Sequence, residues 1–212
     1  MRRYASDVAF TPAVKAIQVE KGSRAAYAQM EWGSGWETSV TPELEAFLAG
    51  LDMFYLGTAN AQGQPYIQYR GGPPGFLKIL GEKTLAFADF GGNHQYITLG
   101  NLSENPRAFL FLIDYAKRRR IKVWGTARVV DGDASLIEIL RDPSYPGKVE
   151  RAIIFEVEAW DMNCPKHIHR RFAERAVAPV VEQLQGRITE LESEVAGLRS
   201  RLNELSSKRM GQ

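Results

Sequence analysis

Few residues in this chain are equipped for chemistry. There is one cysteine, Cys164, and there are three histidines, His94, His167 and His169. Cys164, His167 and His169 form a C-x-x-H-x-H run. A closed zinc site needs four ligands, usually from two separated pairs. No second cluster stands elsewhere in the sequence, so no metal site is expected. Cys164 as a nucleophile would need a base and an orienting group; before Pro165 it reads as a small buried residue. The cationic and glycine-rich segments say more. Arg70 ends a strand-like run, Lys117–Arg120 reads as a basic turn, and Gly91, Gly92 and Asn93 stand before a helical run near His94 and Gln95. Glycines before a helix bring backbone N–H groups close to an anion, and arginines hold phosphate bidentately. Such a set suits an anionic ligand. A solvated turn is the ordinary alternative for Arg118, Arg119 and Arg120, and His94 can equally be a residue of the helix terminus.

Composition bounds the rest. The chain has 212 residues, 44% hydrophobic and 10% aromatic, with a net charge of +2 and a pI near 8.6. That supports one sizeable core, or one core and an extension. A nucleic-acid protein would show a concentrated basic excess, so nucleic acid is not an expected partner. No apolar run approaches the ~20 residues of a membrane helix. The opening MRRYASDVAF has no apolar stretch behind its arginines and does not read as a secretory signal. One cysteine allows no intrachain disulfide. A cytoplasmic setting is expected.

Three parts organise the chain. Residues 1–40 read as an N-terminal arm with one short amphipathic helix, packed on the main domain. Residues 41–172 carry short strands with turns between them, the pattern of a barrel or sandwich. Thr41 and Pro42 start a helix with the apolar stripe Leu44, Phe47, Leu48 and Leu51. Strands are expected at Met53–Ala59, Tyr66–Arg70, Phe76–Leu80, Thr84–Phe90, Ala108–Asp114, Ile121–Val130 and Glu150–Trp160. Helices are expected at Gln95–Ser103 and Asp133–Leu140. Gly63 reads as a turn residue at positive φ.

Residues 173–212 form the third part. Apolar residues recur at Val181, Leu184, Ile188, Leu191, Val195, Leu198, Leu202 and Leu205, alternating three and four. This is a heptad repeat with Val181, Ile188, Val195 and Leu202 at a and leucines at d. β-Branched residues at a with Leu at d favour a parallel two-stranded coil. In register, Arg187 faces Glu192 of a partner and Glu194 faces Arg199. A helix lying on its own domain usually shows a wider stripe.

The stretch NLSENPRAFLFLIDYAKRRRIKVWGTARVV (Asn101–Val130) resembles the FMN-binding split β-barrel of the pyridoxamine 5′-phosphate oxidase family: a helix end, an apolar strand, a basic turn, and a strand with Gly125 at its middle. The resemblance runs from Leu51 to Phe172. GQPYIQYR (Gly63–Arg70) is similar to the strand along the flavin ring and phosphate tail, which implicates Gln68, Tyr69, Arg70 and the adjoining Gly71. LAFAD places Phe87 and Ala88 at flavin-contacting positions. GGNHQY has Asn93, His94 and Gln95 where the family's oxidases carry an Arg-Lys pair on the phosphate. Arg120 stands where the family has a flavin-contacting glutamine. WDMNCPKHIHRRF resembles the segment that brings a tryptophan and an arginine near the flavin, here Trp160 and Arg171.

The resemblance implies an α+β, mainly β fold: an FMN-binding split β-barrel followed by a coiled-coil helix. It implies FMN as cofactor and a homodimer with FMN sites at the barrel interface. FMN's phosphate wants arginines, N–H groups or a helix N-terminus; its flat ring wants aromatic walls and amides, for which Tyr69, Trp160 and Gln68 are candidates. The family's substrate-anchoring lysine falls near GGPPG, where none stands, and its substrate-contacting Arg and His appear as His167 and His169. The expectation is therefore an FMN-dependent oxidoreductase with a different small-molecule substrate, with a reduced nicotinamide nucleotide, NAD(P)H, as a conceivable electron donor. The alternative is a non-catalytic flavin- or haem-binding carrier or sensor, with His167 or His169 as axial ligand in the haem case.

Overall fold

The computed structural model describes residues 4–32, 35–163 and 165–210. It divides into two units, Met1–Ile168 and His169–Gln212. The first unit holds a seven-stranded antiparallel sheet. Its strands are β1 (Met53–Ala59), β2 (Pro65–Gly71), β3 (Lys78–Ile79), β4 (Thr84–Phe90), β5 (Arg107–Asp114), β6 (Arg119–Val130) and β7 (Val149–Asn163), in the order β2-β1-β5-β6-β7-β4-β3. Helices α1 (Pro12–Glu20), α2 (Arg24–Trp32), α3 (Pro42–Leu48), α4 (Ile97–Glu104) and α5 (Ala134–Leu140) accompany it.

Side-chain contacts show that the sheet rolls up. Phe54 on β1 and Phe87 on β4 lie three intervening strands apart in the sheet, yet their rings meet edge to face at 5.0 Å. Both belong to one core with Leu56, Leu110, Leu112, Val123 and Phe155, and α3 adds Leu44, Phe47 and Leu48. β2 and β4, far apart in the hydrogen-bonded order, are joined by an ion pair between the Arg70 guanidinium and Asp89. This is a split barrel: the ladder is left open between β2 and β3, and side chains bridge the gap.

Local sequence explains most boundaries. Thr41 caps α3 by accepting from Leu44 N, with Pro42 at the first helical position. Asp133 caps α5 by accepting from Leu136 N. β1 alternates buried and half-buried positions, as one-sided strands do. β4 does not: Leu85 to Asp89 are all buried. The reason is a second small core on the other face, where Ala86, Ala88, Ala152 and Ile154 pack with Leu136 and Leu140 of α5. This also buries Ile154, which the alternation of Ile153, Phe155 and Val157 leaves on the outer side.

Several expectations need correction. The strand expected at Phe76–Leu80 pairs only over Lys78–Ile79. Phe76 N donates to Pro73 O in a turn, and Phe76 and Leu77 enter the core instead of the ladder. The helix expected from Gln95 starts at Ile97, because Tyr96 has φ 55, which no α-helix accommodates. The basic turn is shorter than Lys117–Arg120: Arg119 and Arg120 already pair with Asp114 and Ile113 in the β5–β6 ladder. The last strand extends past Trp160 to Asn163. The N-terminal arm has two helices and a 3₁₀ turn (Ala5–Val8) rather than one helix; Gly22, at φ 75, breaks the run. Lys15 of α1 pairs with Asp7 of the turn at 2.6 Å and with Glu31 of α2 at 3.4 Å, and Arg24 of α2 donates to Gln18 of α1 at 2.7 Å. The arm meets the sheet where Trp36 stacks on Trp124 at 4.6 Å and Glu37 exchanges backbone hydrogen bonds with Trp160.

Gly125 marks a β-bulge, where the β6–β7 register shifts after Trp124. A Cβ there would run into the Glu156 carbonyl oxygen and the Phe155 ring. Gly125→Ala should therefore cost about 1–3 kcal/mol of stability through overpacking, read as a lower urea midpoint. Asp89→Ala should cost more, about 3–5 kcal/mol, because it strands buried arginine charge. By contrast Lys21→Ala, which removes an exposed pair with Glu20, should change the same midpoint by less than about 1 kcal/mol. An Asp89→Ala protein as stable as the parent would disprove the bridging role.

Candidate functional site

A small open cleft of about 70 Å³ lies beside the bridged gap, below the ~300–1,000 Å³ of typical small-molecule sites. β2 supplies its floor. Alternation puts Tyr66, Gln68 and Arg70 on one face of that strand and Ile67 and Tyr69 on the other. Gln68 and Arg70 accordingly line the cleft. Tyr69 does not: it is 60% exposed and meets Tyr55 at 6.0 Å on the opposite face. Burial, with the charge of Asp52 added, pushes its phenol above the ordinary tyrosine pKa.

The segment after β4 forms the facing wall, with Asn93, His94, Gln95 and Tyr96. Asn93 Oδ1 accepts from Gln95 N at 3.2 Å, a side-chain turn that shapes the loop. His94 and Tyr96 both hold left-handed φ, 57 and 55. Non-glycine residues avoid that region, and such conformers gather at functional sites. The His94 Nδ1 and Tyr96 hydroxyl are hydrogen-bonded at 2.6 Å. From α4, Thr98 Oγ1 donates to Gln68 Oε1 at 2.6 Å, which orients that amide and leaves its NH₂ as donor. Farther along α4, Asn101 Nδ2 donates to Thr58 Oγ1 at 3.0 Å and fixes the helix on β1.

Charge in the cleft is balanced. Asp89 accepts from Arg70 through one oxygen and from Arg151 Nη1 through the other, at 3.1 Å. Arg151 also pairs with Asp131 and Glu150 at 3.1 and 3.3 Å, and its guanidinium lies 5.7 Å from the Tyr96 ring centre. Burial pulls the Arg151 pKa down, but the bonds to Asp131 and Asp89 outweigh it and leave the group above its ordinary value. Arg70 lies over the Phe87 ring at 5.7 Å, and its Nε–H is buried with no acceptor among the described residues. The donor set open to a ligand is thus mainly amide, imidazole and main-chain N–H.

Five sequence-predicted residues meet in this cleft: Gln68, Arg70, Asn93, His94 and Gln95. Others stand elsewhere. Phe87 is fully buried in the main core and Ala88 in the second one. Gly71 ends β2, where a Cβ would press on the Tyr69 ring at 2.9 Å. Trp160 is a core residue whose indole N–H donates to Ser39 O at 2.7 Å. Arg120 lies on β6 opposite Asn163, outside the cleft, with a buried Nε that has no acceptor among the described residues. Arg118 and Arg119 diverge, one donating to Pro165 O and the other to Glu43. His167 is exposed at φ 63. His169 and Arg171 belong to the second unit. Cys164 lies outside the described residues, and with it the metal and nucleophile readings made there. Among the described residues no three His, Cys, Asp or Glu gather to hold a metal ion, and no helix is long and apolar enough to cross a membrane.

Sequence reasoning missed Asp89, Arg151, Tyr96 and Thr98. Asp89 had a signal: a lone carboxylate closing the apolar strand Leu85–Ala88 must find a cation if it is buried. Thr98 and Tyr96 had none, since only the fold lays α4 against β2.

No curated protein matches the chain. Among solved structures, HupZ of Group A Streptococcus is 16% identical, covering 63% of this chain and 99% of that one, with a TM-score of 0.45. A Clostridium acetobutylicum protein related to general stress protein 26, of the pyridoxinephosphate oxidase family, is 16% identical over 64% and 94%, TM-score 0.43. HutZ, the heme storage protein of Vibrio cholerae, is 16% identical over 55% and 88%, TM-score 0.37. The sequence model of the family described as pyridoxamine 5′-phosphate oxidase matches residues 40–162, more than half of the chain and all seven strands but the last residue of β7. With its strands, bulge and cleft all inside that span, the chain belongs to the pyridoxamine 5′-phosphate oxidase family.

Proposed function

We propose that this protein is an FMN-binding flavoprotein, and that it works as an oxidoreductase on a small molecule other than pyridoxamine or pyridoxine phosphate. The observation that carries the proposal is the convergence of Gln68, Arg70, Asn93, His94 and Gln95 on one cleft, in a chain of this family. The donor set suits FMN: amide N–H groups for polar edges, and His94 and the turn around Asn93 for an anion. Bound FMN would supply hydride chemistry. Because Asp89 already neutralises much of Arg70 and Arg151, the phosphate falls to the Gly91–Gln95 segment more than to arginine charge. That differs from an Arg-Lys phosphate clamp and fits a substrate other than the family's namesake. The barrels are proposed to pair as a homodimer.

The absorption spectrum of the purified protein tests this directly. The two bands of oxidised flavin are expected, bleached by NAD(P)H and restored by air. A Soret band instead would establish the haem-carrier alternative, and flavin that no donor bleaches would leave a carrier or sensor. His94→Ala, at an exposed loop position, should weaken FMN binding about tenfold without lowering the melting temperature, as loss of one polar contact to a phosphate does. Arg70→Ala should weaken it by less than about tenfold, under about 1.4 kcal/mol, because Asp89 already holds that guanidinium. Arg120→Ala tests the role that the flavin-site resemblance gives that residue. Parent-like FMN affinity in His94→Ala would overturn the phosphate assignment.

A further inference from the structure

The second unit is built around α6 (Glu174–Met210), a helix of 37 residues. Pro179 sits near its start, where a missing N–H disturbs only the first turns. The apolar row begins just beyond it. Leu184, Ile188, Leu191, Val195 and Leu198 are 43–58% exposed, since a single helix cannot cover its own stripe. Ile188, Leu191 and Val195 line a shallow apolar groove flanked by Glu192 and Arg199. The stripe holds strict a and d spacing for its whole length, about 36 Å at 1.5 Å per residue. A helix of mostly polar composition gains its stability from packing such a face.

We infer that α6 pairs with α6 of a second copy of this chain as a parallel, in-register, two-stranded coiled coil. Three features select that occupant. The stripe is a/d only, which matches one partner helix of equal width. Val181, Ile188 and Val195 at a with leucine at d favour the parallel pair. In that register Arg187 at g meets the partner's Glu192 at e, and Glu194 meets the partner's Arg199, so four interchain ion pairs flank the a/d seam. Arg187 reaches Glu190 of its own helix at 2.8 Å through Nη1, and Nη2 remains as a second donor toward the partner. Gly186 and Gly197 fall at f and c, on the outer surface, where a small residue leaves no gap in the seam. The coil is argued from α6 alone and does not rest on the flavin assignment.

Disulfide trapping in the full-length chain, with Cys164→Ser as background, tests the pairing and its direction. A disulfide needs Cα atoms within about 7 Å. Val195→Cys at a should oxidise to a linked dimer, while Ser193→Cys at f should stay monomeric on denaturing gels. Adding Ile188→Asp to Val195→Cys places two carboxylates in one a layer; linkage should be lost and helical circular dichroism reduced, with cleft properties unchanged. Equal linkage at 193 and 195, or none at 195, overturns the inference. So does linkage that appears only when Val195→Cys and Leu191→Cys chains are mixed, since a fully overlapped antiparallel pair sets Val195 at a against Leu191 at d.

Discussion

Asp89 is the residue on which the arrangement of the first unit turns. Its carboxylate is almost fully buried and holds Arg70 of β2 with one oxygen and Arg151 of β7 with the other. Isolated, any of these charges would be too costly to bury; joined, each satisfies another. The backbone ladder cannot close the sheet, because β2 and β3 are its two ends. Asp89 makes the connection with side chains and so leaves a gap instead of a seam. The cleft occupies that gap, and its charge balance is a direct consequence of how the gap is bridged.

The faces of the sheet are covered unequally. Inside, one continuous core runs from β1 through β5, β6 and β7 to β4. Outside, α5 covers β4 and β7 with a core of its own. β4 is therefore buried on both faces and is held rigidly beside the cleft. β2, at the edge, keeps its outer residues Ile67 and Tyr69 largely exposed. The cleft thus has one wall set by the core and another carried on a strand anchored through Arg70, Thr98 and α4. Rigid support of this kind holds polar groups in place for a ligand.

The loop from Gly91 to Tyr96 joins these walls, and its strain fits the position. Two left-handed residues separated by one, His94 and Tyr96, delay α4 by two residues and turn their side chains toward each other. Such conformations persist only where surrounding contacts fix them. Here Arg151 over the Tyr96 ring and the Asn93 turn do so.

The sequence by itself determined what depends on near neighbours and periodicity. Thr41 and Asp133 as caps, the β5–β6 hairpin around its basic turn, and the heptads of α6 are all local patterns, and each was legible in the residues; the bulge at Gly125, inside a strand the sequence reads as continuous, was not. Five of the candidate site residues were legible too, because family resemblance preserves their order along the chain. Tertiary structure alone decided which of them share a cleft. Tyr69 is one residue from Gln68 and Arg70, yet the strand's period of two sends it to the other face. Phe87 and Trp160 belong to the core because the sheet curls over them, and Arg120 is directed elsewhere by its place on β6. Most of all, the pairing of Arg70 with Asp89 and Arg151 joins residues 19 and 62 positions apart from Asp89. No local rule encodes that contact; it exists because rolling the sheet brings three charges into one buried place where only mutual neutralisation is stable.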